Sequence, residues 1–225
     1  KALIEVSSKT YQPFVLNWID DAAITAQIDQ HISNGVLGRG VATPDHVIRI
    51  KAKPLGLTYE AQAGGTKTIV TAIRAYMNDY TEYFNKWSAL SDSPKTMLDT
   101  MPKLAWVQGL GLIGIGHSMK EAKTITDIGV QNVRVITDAE VAGGFHPVAE
   151  KELFDMEYWS LEQAKLAKAL PPPLLGKVTV ITGAGGVIGS AMVKEFETAG
   201  AEVVAVDINT EGLAQQGFSS KVMQK

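Results

Sequence analysis

The 225-residue chain contains no cysteine. That absence removes disulfides, thiolate zinc sites and cysteine nucleophiles together, and leaves the redox compartment unmarked. No apolar run reaches the roughly 18 residues of a spanning helix, and no secretory leader is recognisable. A cytoplasmic protein is therefore expected. There is no block of five like charges, and the net charge is only -3 at a sequence pI of about 5.8. This balance argues against a nucleic-acid or membrane-surface partner. His-x-His is also missing, and His31, His46, His117 and His146 are scattered. No bound metal is expected.

What remains is an ordinary folded composition, 45% hydrophobic and 20% charged, with enough length for one large domain or two small ones. Residues 20–33 place Ala23, Ile24, Ile28 and Ile32 close to one helical face, with acidic residues in the first turn and Asn34-Gly35 as a stop. A loop, "GVLGRGVATP", leads to "DHVIRIKAKPL", expected as a short strand ended by Pro54. Residues 60–67 are expected as a flexible turn. Residues 68–90 then carry Ile69, Ile73, Tyr76, Met77, Tyr80, Tyr83, Phe84 and Trp87 at helical spacing, a stripe read as core. Arg39, Arg49 and Lys51 are expected as a solvated basic edge rather than a phosphate site. Residues 148–170 form a charged, helical stretch. Pro171-Pro172-Pro173 cannot continue it and marks the expected boundary between a mixed α/β unit over 1–170 and a second domain over 174–225.

Two glycine motifs compete for a nucleotide. Gly109, Gly111 and Gly114 form a GxGxxG after "KLAWVQ". A dinucleotide loop needs its helix to start within the glycines, so that N–H groups meet the pyrophosphate. Here Leu110, Leu112, Ile113 and Ile115 interleave with them, which predicts a hairpin, with the long helix to Gly143 starting near the Ser118–Glu121 capping box. The second motif has the context the first lacks. "KVTVIT" suits a buried parallel strand. Gly183-Ala184-Gly185-Gly186-Val187-Ile188-Gly189 turns it into a helix whose Ala191, Met192, Phe196 and Ala199 can face a sheet. Gly200 ends that helix, and "AEVVAVD" is a second strand.

Each part has a physical role. Gly183 permits the tight turn, Gly186 a close backbone approach to phosphate, and Gly189 close helix–strand packing. Asp207, 18 residues beyond Gly189, can accept hydrogen bonds from ribose hydroxyls and would repel a 2′-phosphate. The expected cofactor-binding residues are Thr182, Gly183, Gly186, Val187, Ile188, Gly189, Asp207 and Ile208. NAD is the expected cofactor, favoured over NADP.

Thr182–Gly189 resembles the TGxxxGxG signature of short-chain dehydrogenases, with Gly186 giving the GxxGxxG spacing of the epimerase-like branch. Upstream, "ATPDHVIRIK", "LAWVQGLGLIGIGHSMKEAKTITDI" and "EKELFDMEYWSLEQAKL", followed directly by that signature, resemble the bifunctional class II aldolase/short-chain dehydrogenase family of the rhamnulose-1-phosphate aldolase/alcohol dehydrogenase type. The resemblance implies an α/β chain: a linking domain, with a degenerate aldolase-like half over 100–142, followed by the first βαβ of a Rossmann-type doubly wound sheet. In place of one aldolase histidine stands Gln108. The family's Tyr-x-x-x-Lys pair is absent, so no catalytic residue is expected here. The chain reads as an internal piece of an oxidoreductase acting on a small alcohol, aldehyde or sugar derivative, expected as a homo-oligomer. The competing reading is a non-catalytic scaffold or oligomerisation module with a vestigial nucleotide loop.

Overall fold

The computed structural model describes residues 2–6, 14–161 and 171–218, and the backbone of 221–223. Two compact units emerge, one built on residues 16–116 and 120–161, the other on 171–218.

The first unit is organised by a four-stranded sheet of order β1-β4-β3-β2, comprising β1 (Val15–Ile19), β2 (Leu55–Leu57), β3 (Leu104–Val107) and β4 (Gly111–Gly116). β2 runs parallel to β3, with Leu55 opposite Ala105, and β3 is antiparallel to β4, with Leu104 opposite Gly114. Helices α1 (Ala2–Val6), α2 (Ala22–Ser33), α3 (Val47–Ile50), α4 (Tyr59–Ala63), α5 (Gly65–Ser88), α6 (Met119–Ala142) and α7 (Glu150–Glu157) complete it. Asp21 caps α2, its carboxylate accepting from the N–H groups of Ala23 and Ile24. Acidic charge thus sits at the cap and not in the first turn. The core joins Ile24 and Ile28 of α2, Leu104, Trp106 and Leu112 of the sheet, and Ile125, Val133 and Ile136 of α6.

The "GLGLIGIG" hairpin forms as its interleaved pattern requires. The chain turns at 108–110 and the helix begins at Met119. Its glycines serve packing. A methyl on Gly114 would lie 2.4 Å from the Ala122 carbonyl oxygen, so only glycine lets α6 lie this close to β4.

Two segments differ from expectation. Residues 44–50 are helical, not a strand: a single 3₁₀ turn (Pro44–His46) passes into α3. Pro44 at the first helical position favours this start, and Val47 and Ile50 are both buried, a spacing of three that a strand would split between faces. The strand instead follows Pro54. Residues 60–67 are also helical, divided between α4 and α5 at Gly64-Gly65, where Gly65 has φ +69°. Along α5, Ile73 and Tyr80 are buried and Tyr76, Tyr83, Phe84 and Trp87 half-buried, as the core reading of that stripe expects.

The second unit is a parallel strand–helix–strand. β5 (Val178–Thr182) and β6 (Glu202–Val206) pair in register from Val178 opposite Glu202 to Thr182 opposite Val206, joined by α8 (Val187–Thr198). Beyond the assigned elements lie α9 (Thr210–Gln215) and β7 (Lys221–Met223), which pairs parallel to β6. β6 is therefore central rather than a bare edge. Its core joins Ile181, Val193, Val203, Ala205 and Leu213.

β5 is not buried on both faces. Val178 and Val180 are 65% and 63% exposed while Ile181 is covered, so helices lie on one face only. The inward face of α8 is also shifted from expectation. Gly189, Ser190 and Val193 are buried and Phe196 packs beside them, whereas Ala191 and Met192 point outward. Among the described residues no helix is long and apolar enough to cross a membrane.

Candidate functional site

The glycine loop is built at the C-terminal end of β5. Gly183 takes φ +69°, which a side chain would strain. The chain then folds back so tightly that a methyl on Gly189 would sit 2.0 Å from the Gly183 carbonyl oxygen. Gly186 is the N-cap of α8, in extended conformation and with no side chain to cap the helix. The first-turn N–H groups of Val187, Ile188 and Gly189 have no acceptor within their own helix, and they sit at its positive end. Val187 and Ile188 expose their side chains beside them, at 89% and 78%.

Asp207 closes the loop from the next strand. Its Oδ2 accepts from the Gly185 N–H at 2.8 Å and its Oδ1 from the Asn209 N–H at 2.8 Å. These two donors, Asn209 first, hold its carboxyl below the usual carboxylate range. Each oxygen keeps lone-pair capacity for a further donor. Ile208, next along, is 99% exposed. All eight residues singled out for a dinucleotide thus lie on this loop or at the end of β6. Thr182 is exposed at the loop's root.

A second site lies in the first unit, outside both glycine motifs. A cavity of about 780 Å³ opens between α5 and residues 51–56. At its margin Lys51 is buried, only 5% exposed, and so does not join a solvated basic edge. Arg39 pairs instead with Glu140 at 2.7 Å. Among the described residues, Lys51 is also the non-glycine residue with positive φ, at 63° with ψ 170°. Such backbone costs on the order of 1–3 kcal/mol for a residue with a side chain.

The Lys51 amine donates to the Asp99 carbonyl and rests 3.4 Å from the centroid of the Tyr80 ring. Burial pushes its pKa down to about 8, against the attraction of Glu157 and Asp99. Glu157 is 1% exposed, and burial pushes its carboxyl up although Lys51 and the Tyr80 hydroxyl oppose this. Tyr80 donates to Glu157 Oε1 at 2.8 Å and lies 2.8 Å from the Tyr158 hydroxyl, which accepts from the Leu98 N–H at 3.3 Å. With Tyr80 committed to Glu157, Tyr158 must donate to Tyr80. The chain of donors therefore runs from Leu98 through two phenols to one carboxylate.

Across the hairpin, Gln108 Oε1 accepts from the Tyr59 N–H at 3.2 Å and its carbonyl from Gln62 Nε2 at 2.8 Å. Gln108 fastens α4 to the sheet.

Residues 1–166 match the family model described as "Aldolase class II, second domain". The chain belongs to that family. The aldolase-family region is thus wider than the 100–142 expected from the hairpin and helix alone. The chain is also 29% identical over 178 residues to a Bacillus subtilis (strain 168) protein named "Uncharacterized oxidoreductase YuxG". That match covers 77% of this chain but 25% of the relative, so the chain spans about a quarter of its length.

Class II aldolase chemistry uses a histidine-bound divalent metal to polarise a carbonyl. The donor set among the described residues does not fit one. Among the described residues no three of His, Asp and Glu converge to hold an ion, and His31 is buried against Thr137 Oγ1 at 2.9 Å.

Proposed function

We propose that residues 174–225 are the opening of a Rossmann-type, NAD-binding domain of the short-chain dehydrogenase kind. In this reading the chain is part of an oxidoreductase for a small alcohol, aldehyde or sugar derivative, joined to a class II aldolase. The observation that carries it is the clasp at the loop: Gly189 against the Gly183 carbonyl, with Asp207 holding the Gly185 N–H. The relative named as an oxidoreductase supports the same direction.

The residues present fit a nicotinamide dinucleotide. The N–H groups of Val187, Ile188 and Gly189 offer a pyrophosphate the unpaired donors of a helix N-terminus. Asp207, held ionised, accepts from the ribose hydroxyls and disfavours a 2′-phosphate. Ile208 offers apolar surface to the adenine. When bound, the cofactor supplies a hydride acceptor or donor. This chain's share is binding, because no Tyr-x-x-x-Lys occurs in it and general acid–base catalysis needs such a positioned proton carrier.

Calorimetric titration of the 225-residue chain with NADH, NAD and NADPH tests the reading, beside an assay with small alcohols and hydroxyaldehydes. NADH should bind more tightly than NADPH, with no turnover. NADPH binding more tightly would remove Asp207 from the ribose, and no binding of any of the three would remove the site.

A further inference from the structure

The glycine loop does not account for the cavity beside α5. Its volume, about 780 Å³, falls in the range of small-molecule sites. It lies within the first unit and is lined by small apolar residues such as Ala72 and Ala75, by tyrosines, and by Lys51.

Three features of Lys51 coincide at this cavity. Its backbone is strained in a region that glycine alone adopts readily, yet a lysine stands there. Its side chain is buried, and its amine is held by a carbonyl oxygen and a ring face. The ring beneath it is fixed in turn, because the Tyr80 hydroxyl donates to Glu157. A buried amine of this kind loses its proton readily and becomes a nucleophile toward carbonyl carbon.

We propose that the cavity binds a small, uncharged aldehyde or ketone, which Lys51 captures as an imine. The Lys51 ammonium first gives a proton to solvent, and the unprotonated amine attacks the carbonyl carbon, forming the C–N bond as the C=O π electrons move to oxygen. A proton passes from nitrogen to that oxygen to give the carbinolamine. The hydroxyl then leaves as water, taking its proton from solvent, and the nitrogen lone pair closes the C=N bond. Overall the ammonium and the carbonyl compound give a protonated imine and water, with no oxidant required.

Charge selects the ligand. The cavity's three lysines, Lys51, Lys53 and Lys86, are balanced by three carboxylates, Asp79, Glu82 and Glu150. Lys86 is already paired with Glu150 at 2.8 Å. A phosphorylated carbonyl compound would find no net positive charge there.

Reductive trapping tests this on the intact chain: glycolaldehyde with cyanoborohydride at pH 7, followed by peptide mass spectrometry. An amine of pKa about 8 holds roughly 300-fold more unprotonated form at pH 7 than one at the ordinary 10.5. With burial slowing access, Lys51 should still be alkylated at least about tenfold faster than the exposed Lys67 and Lys123. Ala75→Trp, which fills the exposed rim of the cavity, should slow Lys51 labelling while leaving Lys67 and Lys123 unchanged. Glycolaldehyde phosphate should label Lys51 more slowly than glycolaldehyde. Labelling of Lys51 no faster than the exposed lysines overturns the proposal. So does labelling indifferent to Ala75→Trp, because the amine is then reached from elsewhere. Faster labelling by the phosphorylated aldehyde overturns the assignment of an uncharged ligand.

Discussion

Gly189→Ala is the sharpest test of the loop. The added methyl carbon would lie 2.0 Å from the Gly183 carbonyl oxygen, 2.6 Å from the Gly183 carbonyl carbon and 2.8 Å from the Ala184 Cα. All three are backbone atoms, so no side chain can swing aside. Ordinary contact needs roughly 3.5 Å, so the helix start must retreat by more than about 1 Å or unwind. Overpacking of this kind costs about 1–3 kcal/mol, occasionally more. Retreat would also pull the Val187–Gly189 N–H groups from the position the turn gives them. Gly186→Ala is the control, because its methyl would meet the same oxygen at 3.4 Å, near ordinary contact. Fragment-resolved amide hydrogen exchange reads the result. Gly189→Ala should raise exchange across 183–193 and leave residues 104–142 unchanged, while Gly186→Ala should do far less. Unchanged exchange in 183–193 for Gly189→Ala would refute the steric argument.

Asp207→Ala should raise exchange at Gly185 and Asn209, weaken NADH binding and narrow any gap to NADPH. If it alters only the exchange, the acid is structural. Because the Asp207 pKa is depressed in the fold, its clasp should be fully formed above the unfolded value, roughly pH 3.9, and be lost only as pH falls through the folded value. Exchange at Gly185 followed from pH 6 downward checks this. Tyr158→Phe removes the hydroxyl between the Leu98 N–H and Tyr80; losing these hydrogen bonds should cost about 0.5–1.5 kcal/mol each, measured by urea unfolding. Lys51 binds fewer protons folded, with a pKa of about 8, than unfolded, at 10.5. Stability of the first unit should therefore rise with pH across that window. The rise should disappear in Lys51→Met, and an identical pH profile in the two proteins would contradict the burial of the amine.

The strand–helix–strand of the second unit is legible along the chain. Its signals are local: a β-branched run, glycines that permit one turn, and a helix closed by Gly200. Local pattern also separated the two glycine motifs, because apolar residues alternating with glycine at 110–115 suit a strand and not a phosphate loop. Which side of β5 is covered was not legible, since Val178, Val180 and Ile181 are alike in type and only packing distinguishes them. The 44–50 helix is hidden for a related reason: β-branched residues favour a strand, and the burial of Val47 with Ile50 outweighs that preference. The Lys51 cavity lay furthest from sequence. Lys51, Tyr80, Asp99 and Glu157 come from a helix end, a helix middle, a loop and a second helix end. No spacing links them, and Lys51 by composition reads as a surface charge. Its amine leaves water through packing, because desolvation depends on what folds over a residue and not on its neighbours in the chain.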